Sequence, residues 1–321
     1  MLTLFALPKA FEGHINIIQR NAIESWTRLE PRPQIVLFGD EDGTAQAAQE
    51  FGLDHVPEIA RNEYGTPLVS DIFLQAQART EGGVLCYVNA DIMLMSDFSR
   101  AVAQVSSRRS RFLMGGRRWT VDLPHLWEFG GDWEARLRAL VDEHGTLDLP
   151  HSIDYFVFPA GFWTQIPPFA IGRFFWDNWL LYQCRARKAP LIQATPAITV
   201  VHQSHGYNHA GTTTETLHQG PEARRNLELA GGGHHLYSLS LASHILTPQG
   251  LRRRPPGRWQ IERWQHEWNH RSRRALAGLQ QTANGSSLWR HLARAALWGF
   301  EFSGTPRRRL GRAITRWREN A

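Results

Sequence analysis

Lysine and cysteine are the residues this chain nearly does without. Lys9 and Lys188 are the only lysines among 36 basic residues, so positive charge here is almost entirely guanidinium. Cys86 and Cys184 are the only cysteines. Two cysteines exclude a disulfide framework and a cysteine-based zinc site, and a reducing compartment such as the cytosol fits. Cys86 sits inside an apolar run and reads as a small buried hydrophobe. Long hydrophobic runs are also missing. No apolar stretch reaches the ~18 residues that a membrane helix needs. The opening MLTLFALPKAF has neither a charged n-region nor a small-residue cleavage site, so it does not read as a signal peptide. A cytoplasmic location is expected. What is plentiful is apolar and aromatic: 42% hydrophobic residues and 13 Trp over 321 positions predict a sizeable core.

The charge is unevenly spread. Residues 251–321 hold 16 Lys and Arg against 4 Asp and Glu, whereas residues 1–250 hold 20 against 26. The basic character therefore belongs to the tail. Trp and Arg recur there at helical spacing, as in SSLWRHLARAALWGF (286–300), which suits small helices with solvated arginine faces. Such helices also suit peripheral contact with an anionic membrane surface at its inner face. No nucleic-acid motif accompanies the charge and the remainder is acidic, so no nucleic-acid partner is expected.

Strand-like and helix-like patterns alternate over the first 200 residues. LTLFAL (2–7) and QIVLF (34–38) read as strands, separated by a helix with Ile15, Ile18, Ala22 and Trp26 at helical spacing. Thr44 is placed to cap the short helix TAQAAQEF, with Gly52 ending it. A helix over 67–79, the strand GVLCYV (83–88), and helices over 97–105 and 132–145 follow. The strands RFLMG (111–115), DYFVF (154–158), LIQA (191–194) and AITVV (197–201), and a Trp-rich helix over 176–187, complete the set. Strands alternating with such helices predict an α/β fold with a mostly parallel sheet covered on both faces. The expected organisation is a domain over 1–245, a linker over 246–258 and a basic helical extension over 259–321.

In sheets of this kind ligands sit at the carboxyl ends of the strands. Those exits carry Lys9, Asp40, Asn89-Ala90-Asp91, Arg117-Arg118 and His202. In VLCYVNADIML (84–94) the carboxylate of Asp91 stands between two apolar runs, where it must be hydrogen-bonded, paired or metal-bound. One reading is a local turn satisfied by Asn and Asp. The other is a ligand for a hard divalent cation with positions left open for diphosphate oxygens. His202, His205 and His209 cluster in VVHQSHGYNH directly after a strand, without the HExxH zinc spacing. Asp177, among the aromatics of FFWDNWLLY, is either a first-turn acid on a helix or a buried base with a raised pKa. Asp154 is a second candidate base. Arginine suits bidentate phosphate contact, which brings in Arg61, Arg117 and Arg118.

The run ARNEYGTPLVSDIFLQAQARTEGGVLCYVNADIML (60–94) has an Asn- and Gly-containing loop, a helix and a strand ending in Asn-Ala-Asp. That order resembles the GT-A nucleotide-diphospho-sugar glycosyltransferases over roughly residues 1–210. The resemblance implies a Rossmann-like, mixed but mostly parallel sheet and a metal, Mn²⁺ or Mg²⁺. Asp91 would be the carboxylate ligand, and His202 or His205 a further one. It further implies a nucleoside-diphosphate sugar held by Lys9, Asp40, Arg61, Asn62, Asn89, Arg117 and Arg118. Asp177 or Asp154 would activate the hydroxyl of a glycan or glycolipid acceptor, in a setting such as cell-surface polysaccharide synthesis. Asn89 departs from the family's Asp-x-Asp pattern, because it brings no charge to the metal. Two other readings stay open. One is a non-catalytic nucleotide-sugar or glycan-binding protein on the same scaffold. The other is a sugar-1-phosphate nucleotidyltransferase, which ALPKAFEGH fits poorly because it holds one glycine where a Gly-rich loop is needed.

Overall fold

A computed structural model describes residues 1–205 and 220–255. In chain order the elements begin with β1 (Leu2–Ala6), α1 (Gly13–Thr27), β2 (Gln34–Phe38), α2 (Thr44–Phe51), β3 (Asp54–Val56) and α3 (Val69–Ala78). They continue with β4 (Val84–Val88), β5 (Ile92–Met93), α4 (Ser96–Ser106), β6 (Leu113–Gly115), β7 (Trp119–Val121), α5 (Trp133–His144) and β8 (Thr146–Leu147). The last are β9 (Tyr155–Pro159), α6 (Trp176–Ala186), β10 (Leu191–Gln193), β11 (Val201–Gln203), α7 (Pro221–Leu229), β12 (His244–Thr247) and β13 (Gly250–Arg253).

Nine strands form one sheet in the order β13-β12-β10-β6-β9-β4-β1-β2-β3. Every pairing is parallel except those of β9 with β4 and β6, and of β13 with β12. Strict alternation along the central strands explains why helices cover both faces. Leu4, Ala6, Ile35, Leu37, Cys86 and Val88 point to one side, where Ala22 and Trp26 of α1 and Phe98 of α4 pack on them. Phe5, Val36, Phe38, Leu85 and Tyr87 point to the other, against Phe73 of α3 and Trp176 of α6. The architecture is thus the mixed, mostly parallel α/β sheet expected from the GT-A resemblance.

A second sheet, β5-β11-β7-β8, lies after the exits of β4 and β6 and is held over α5 by Met93, Val121, Trp133, Leu137 and Val201. Its strands are only two or three residues long, and the sequence pattern foresaw it only through AITVV, which starts four residues too early. Two other expectations change. Gly43, at φ 86°, is the N-cap of α2, and Thr44 is its first helical residue with no capping bond. The stretch 246–253, expected as linker, instead completes β12 and forms β13, a hairpin with His244 opposite Arg253 and Thr247 opposite Gly250. Its arginines are tolerated because β13 is an edge strand. His209, residues 256–258 and the basic extension lie outside the described residues.

Candidate metal and nucleotide site

The site begins where β4 ends. Asn89 accepts the Ile92 N–H at 3.1 Å, closing a turn over Asn89-Ala90-Asp91-Ile92. Two groups on α1 fix its far side: Trp26 Nε1 donates to the Ile92 carbonyl at 2.8 Å, and Ser25 Oγ accepts the Leu94 N–H at 3.0 Å. β5 then pairs antiparallel with β11 in a register that sets His202 opposite Ile92. This short pairing brings together residues 111 positions apart in sequence, and it is why Asp91 and His202 meet.

Asp91, His202 and His205 each present one ligand atom, and these atoms lie within 4.8 Å of one another. Asp91 Oδ2 is 2.9 Å from His205 Nε2 and 3.6 Å from His202 Nε2, while the three side chains are only 15%, 7% and 8% exposed respectively. Asp91 Oδ1 is buried with no hydrogen-bond partner among the described residues. Burial opposes ionisation of Asp91, but the His205 hydrogen bond and the positive field around it, Lys9 included, outweigh it. They hold the carboxyl well below the usual carboxylate range.

The neighbours of His202 assign its protons. Asp148 is held ionised below the usual carboxylate range: burial opposes this, but the Arg118 ion pair and the Thr120 hydrogen bond prevail. Its Oδ2 can therefore only accept, and the Thr120 hydroxyl donates to it at 3.0 Å. That hydroxyl has one proton, so its 3.2 Å contact with His202 Nδ1 must be accepted from the ring. Burial lowers the His202 pKa despite Asp91, keeping the imidazole neutral. Nε2 is then a bare lone pair facing the Asp91 carboxylate at 3.6 Å, beyond hydrogen-bond reach. Two acceptors aimed at each other repel, and a cation between them would relieve that repulsion. The donor set of one carboxylate and two imidazoles fits a divalent transition ion such as Mn²⁺ better than Mg²⁺, which prefers oxygen.

Asp154 sits on the other side of the turn. Arg118, itself 14% exposed, bridges Asp154 at 2.6 Å and Asp148 at 2.5 Å. Burial lowers the pKa of the guanidinium, but Asp154 and Asp148 more than compensate and raise it. Asn89 Nδ2 donates to Asp154 Oδ1 at 2.7 Å, and the Tyr87 hydroxyl donates to Asn89 Oδ1 at 3.0 Å. Burial raises the Tyr87 pKa, and the charges of Asp91, Asp154 and Asp177 add to this, so Tyr87 lies between the Asn89–Ile92 turn and α6. Its ring also meets Trp176 edge-on at 5.4 Å, which seats the first turn of α6 against β4. The chain enters that helix through Phe175 at φ 91°, a conformation that a bulky residue holds only under tertiary constraint. Two residues later comes Asp177. Burial pushes its carboxyl up to about 7 and Asp154 adds to the effect, against backbone N–H bonds from the helix start.

The other expected residues divide. Lys9 is close enough for its charge to act on Asp91, and its backbone is clamped by Gln19 through bonds of 2.6 and 2.8 Å. Arg117 turns to the carbonyls of Asp148 and Leu147. Arg61 lies apart from the cluster, paired with Asp40 at 2.5 Å and Glu41 at 2.9 Å. With Asp40, Pro57, Asp71 and Gln75 it lines a cleft of about 420 Å³ beyond the end of β2. Asn62 closes its own loop by accepting the N–H groups of Tyr64 and Thr66, and it donates to Glu222 at 2.8 Å.

Sequence reasoning missed Thr120, Asp148, Tyr87 and Gln203. Gln203 is fully buried and donates to the Asp91 carbonyl at 3.1 Å and the Ile18 carbonyl at 2.7 Å, pinning the turn to α1. It stands next to His202 in the quoted histidine run, and a polar residue following a buried strand was the available signal.

No protein-family model matches the sequence, and no curated protein matches it. Among solved structures, glucosyl-3-phosphoglycerate synthase of Mycobacterium tuberculosis is 17% identical, with 73% of this chain and 81% of that chain covered and a TM-score of 0.45. The same protein in complex with Mn²⁺, uridine diphosphate and phosphoglyceric acid is 16% identical, with 73% and 79% covered and a TM-score of 0.45. TarS of S. aureus, in complex with UDP-GlcNAc, is 13% identical, with 37% and 35% covered and a TM-score of 0.30. At these TM-scores the likeness is one of partial shape, and the chemistry is read from the side chains.

Proposed function

We propose that the chain is a metal-dependent glycosyltransferase that moves a sugar from a nucleoside-diphosphate sugar to a hydroxyl of a glycan or glycolipid acceptor. The observation that carries this reading is the convergence of Asp91, His202 and His205, with His202 Nε2 3.6 Å from the Asp91 carboxylate, at the carboxyl ends of a mostly parallel sheet. Asp91, His202 and His205 would hold Mn²⁺, or less suitably Mg²⁺. When bound, the cation offsets the charge that develops on the departing nucleoside diphosphate. Asn89 is committed to Asp154 and Tyr87, and Asp154 to Asn89 and Arg118, so both position the turn and neither is free to hold the metal. Asp177, poised near neutrality, takes the proton of the attacking hydroxyl. Lys9 supplies a further positive charge beside Asp91.

The test is a thermal-shift screen of nucleoside diphosphates and nucleotide-sugars with and without Mn²⁺. A ligand bound only by the folded chain raises its apparent stability. The expected result is a metal-dependent rise with one class of nucleotide, absent in Asp91→Ala. Equal rises with and without metal, kept in Asp91→Ala, would overturn the reading. Turnover is then measured as nucleoside diphosphate released when acceptor is added.

A further inference from the structure

Three segments far apart in sequence, SSRRSRF (106–112), CRARKAP (184–190) and LRRRP (251–255), each carry three basic residues and no Asp or Glu. The fold places them together. The first leads into β6, the second leads into β10, and the third forms and leaves β13. β6, β10, β12 and β13 are consecutive in the sheet, with Leu191 beside Leu113, Ile192 beside His244 and His244 beside Arg253. The cations therefore gather at the amino-terminal edge of the parallel strands, whereas Asp91, Arg118 and Asp154 lie at the carboxyl ends.

The electrostatics agree with that placement. His244 is pushed down to about 4, by burial first and then by Arg109, Arg253 and Arg185. Arg187 is lowered by burial and by Arg111. No ion pair among the described residues involves Arg108, Arg109, Arg111, Arg252 or Arg253, all of which are exposed. Cations that crowd one another without counter-charge cost stability and are favoured only where an external anion answers them. The rest of the chain sharpens the polarity. Residues 1–250 hold 20 Lys and Arg against 26 Asp and Glu, and six of those 20 lie in the first two segments.

We propose that this edge is a docking surface for an anionic lipid bilayer, with the cluster of Asp91, His202 and His205 at the opposite ends of the strands. Composition points to the partner. The described chain leaves this edge at Pro255, and the sequence after it carries 13 further Lys and Arg, 4 Asp and Glu, and six Trp. Arginine with tryptophan suits the boundary between lipid headgroups and acyl chains, where the guanidinium meets phosphate and the indole meets both phases. This inference does not depend on the glycosyltransferase reading.

The test is co-sedimentation of the full chain with vesicles of phosphatidylcholine alone or with about a third phosphatidylglycerol. Binding is expected only to the anionic vesicles, and it should weaken as salt rises. Each basic residue near such a surface contributes about 1 kcal/mol, or about fivefold in affinity. Arg108→Gln/Arg109→Gln/Arg253→Gln should thus bind about a hundredfold more weakly with the tail intact. Arg253→Gln alone, about fivefold weaker, serves if the triple variant does not fold. Vesicle binding unchanged in these variants would assign the interaction to the tail and overturn the proposal. So would equal binding to neutral vesicles, or tighter binding to duplex DNA than to anionic vesicles at the same salt.

Discussion

Replacing Arg118 with Met should destabilise the protein far more than it weakens nucleotide binding. The guanidinium reaches Asp154 at 2.6 Å and Asp148 at 2.5 Å, and the side chains are 14%, 8% and 25% exposed respectively. Methionine fills similar volume but leaves Asp154 buried with Asn89 as its remaining polar partner. Removing one partner of a buried ion pair costs about 3–5 kcal/mol, because the stranded charge keeps its desolvation penalty. The Asp148 arm is more exposed and contributes the smaller part. In a domain of this size the loss lowers the thermal midpoint on the order of 10 °C. The assay is urea unfolding followed by tryptophan fluorescence, with Asp154→Asn and the double variant completing a cycle. Neutralising Asp154 removes the stranded charge, so the double variant should lose less than the two single losses combined, by about 1 kcal/mol or more. Were Arg118 instead a diphosphate ligand, Arg118→Met would unfold like the wild type and lose nucleotide affinity alone. That result would refute the structural role.

Asp91→Asn should keep its fold and lose the Mn²⁺-dependent rise in stability, which for the wild type is about 2.7 kcal/mol at a ligand concentration a hundred times Kd. Thr120→Val removes the acceptor that fixes the His202 tautomer, and Mn²⁺ affinity measured by titration calorimetry should fall about 10- to 100-fold. Asp177→Asn should lower kcat by about 10² to 10⁴ with donor binding retained. The base must be unprotonated, so wild-type kcat/KM should rise with pH and level off above about 7, and loss of that rise in the variant assigns it to Asp177. Asn89→Asp sets a second carboxylate against Asp154 and should destabilise more at pH 8 than at pH 5, since acid protonates one of the pair. An unfolding deficit independent of pH would contradict that contact.

The large sheet was legible in the sequence because its signals are local. QIVLF and GVLCYV are apolar runs of strand length, and TAQAAQEFG ends on a glycine that takes φ 66°. The histidine run was legible for the same reason. The second sheet was not, because strands of two or three residues such as Ile92–Met93 carry no periodicity of their own and exist only through their partners. Arg118 shows the limit most clearly. Its type and its place after a strand fit phosphate as well as carboxylate. Only the fold shows that Asp148 and Asp154, 30 and 36 residues away, have claimed it. The hairpin over 244–253 was hidden by composition, since its arginines read as a polar linker until an edge strand gave them solvent.

Asn89 is where the departure from an Asp-x-Asp motif finds its physical reason. An acid at that position would lie 2.7 Å from Asp154, in a region that also holds the charges of Asp91 and Asp177. Like charges that close cannot all ionise, so a second acid would have added a proton and not a ligand. The amide avoids the conflict by donating to Asp154 while accepting from Tyr87, and it thereby fixes the turn that carries Asp91. The negative charge given up there is not replaced by another carboxylate. Two imidazoles stand in its place, His202 on β11 and His205 just after it, the first oriented through Thr120 and Asp148. A site of one carboxylate and two imidazoles would bind a cation less through Coulomb attraction than through ligand type. Its metal preference should therefore follow imidazole affinity, with Mn²⁺ ahead of Mg²⁺.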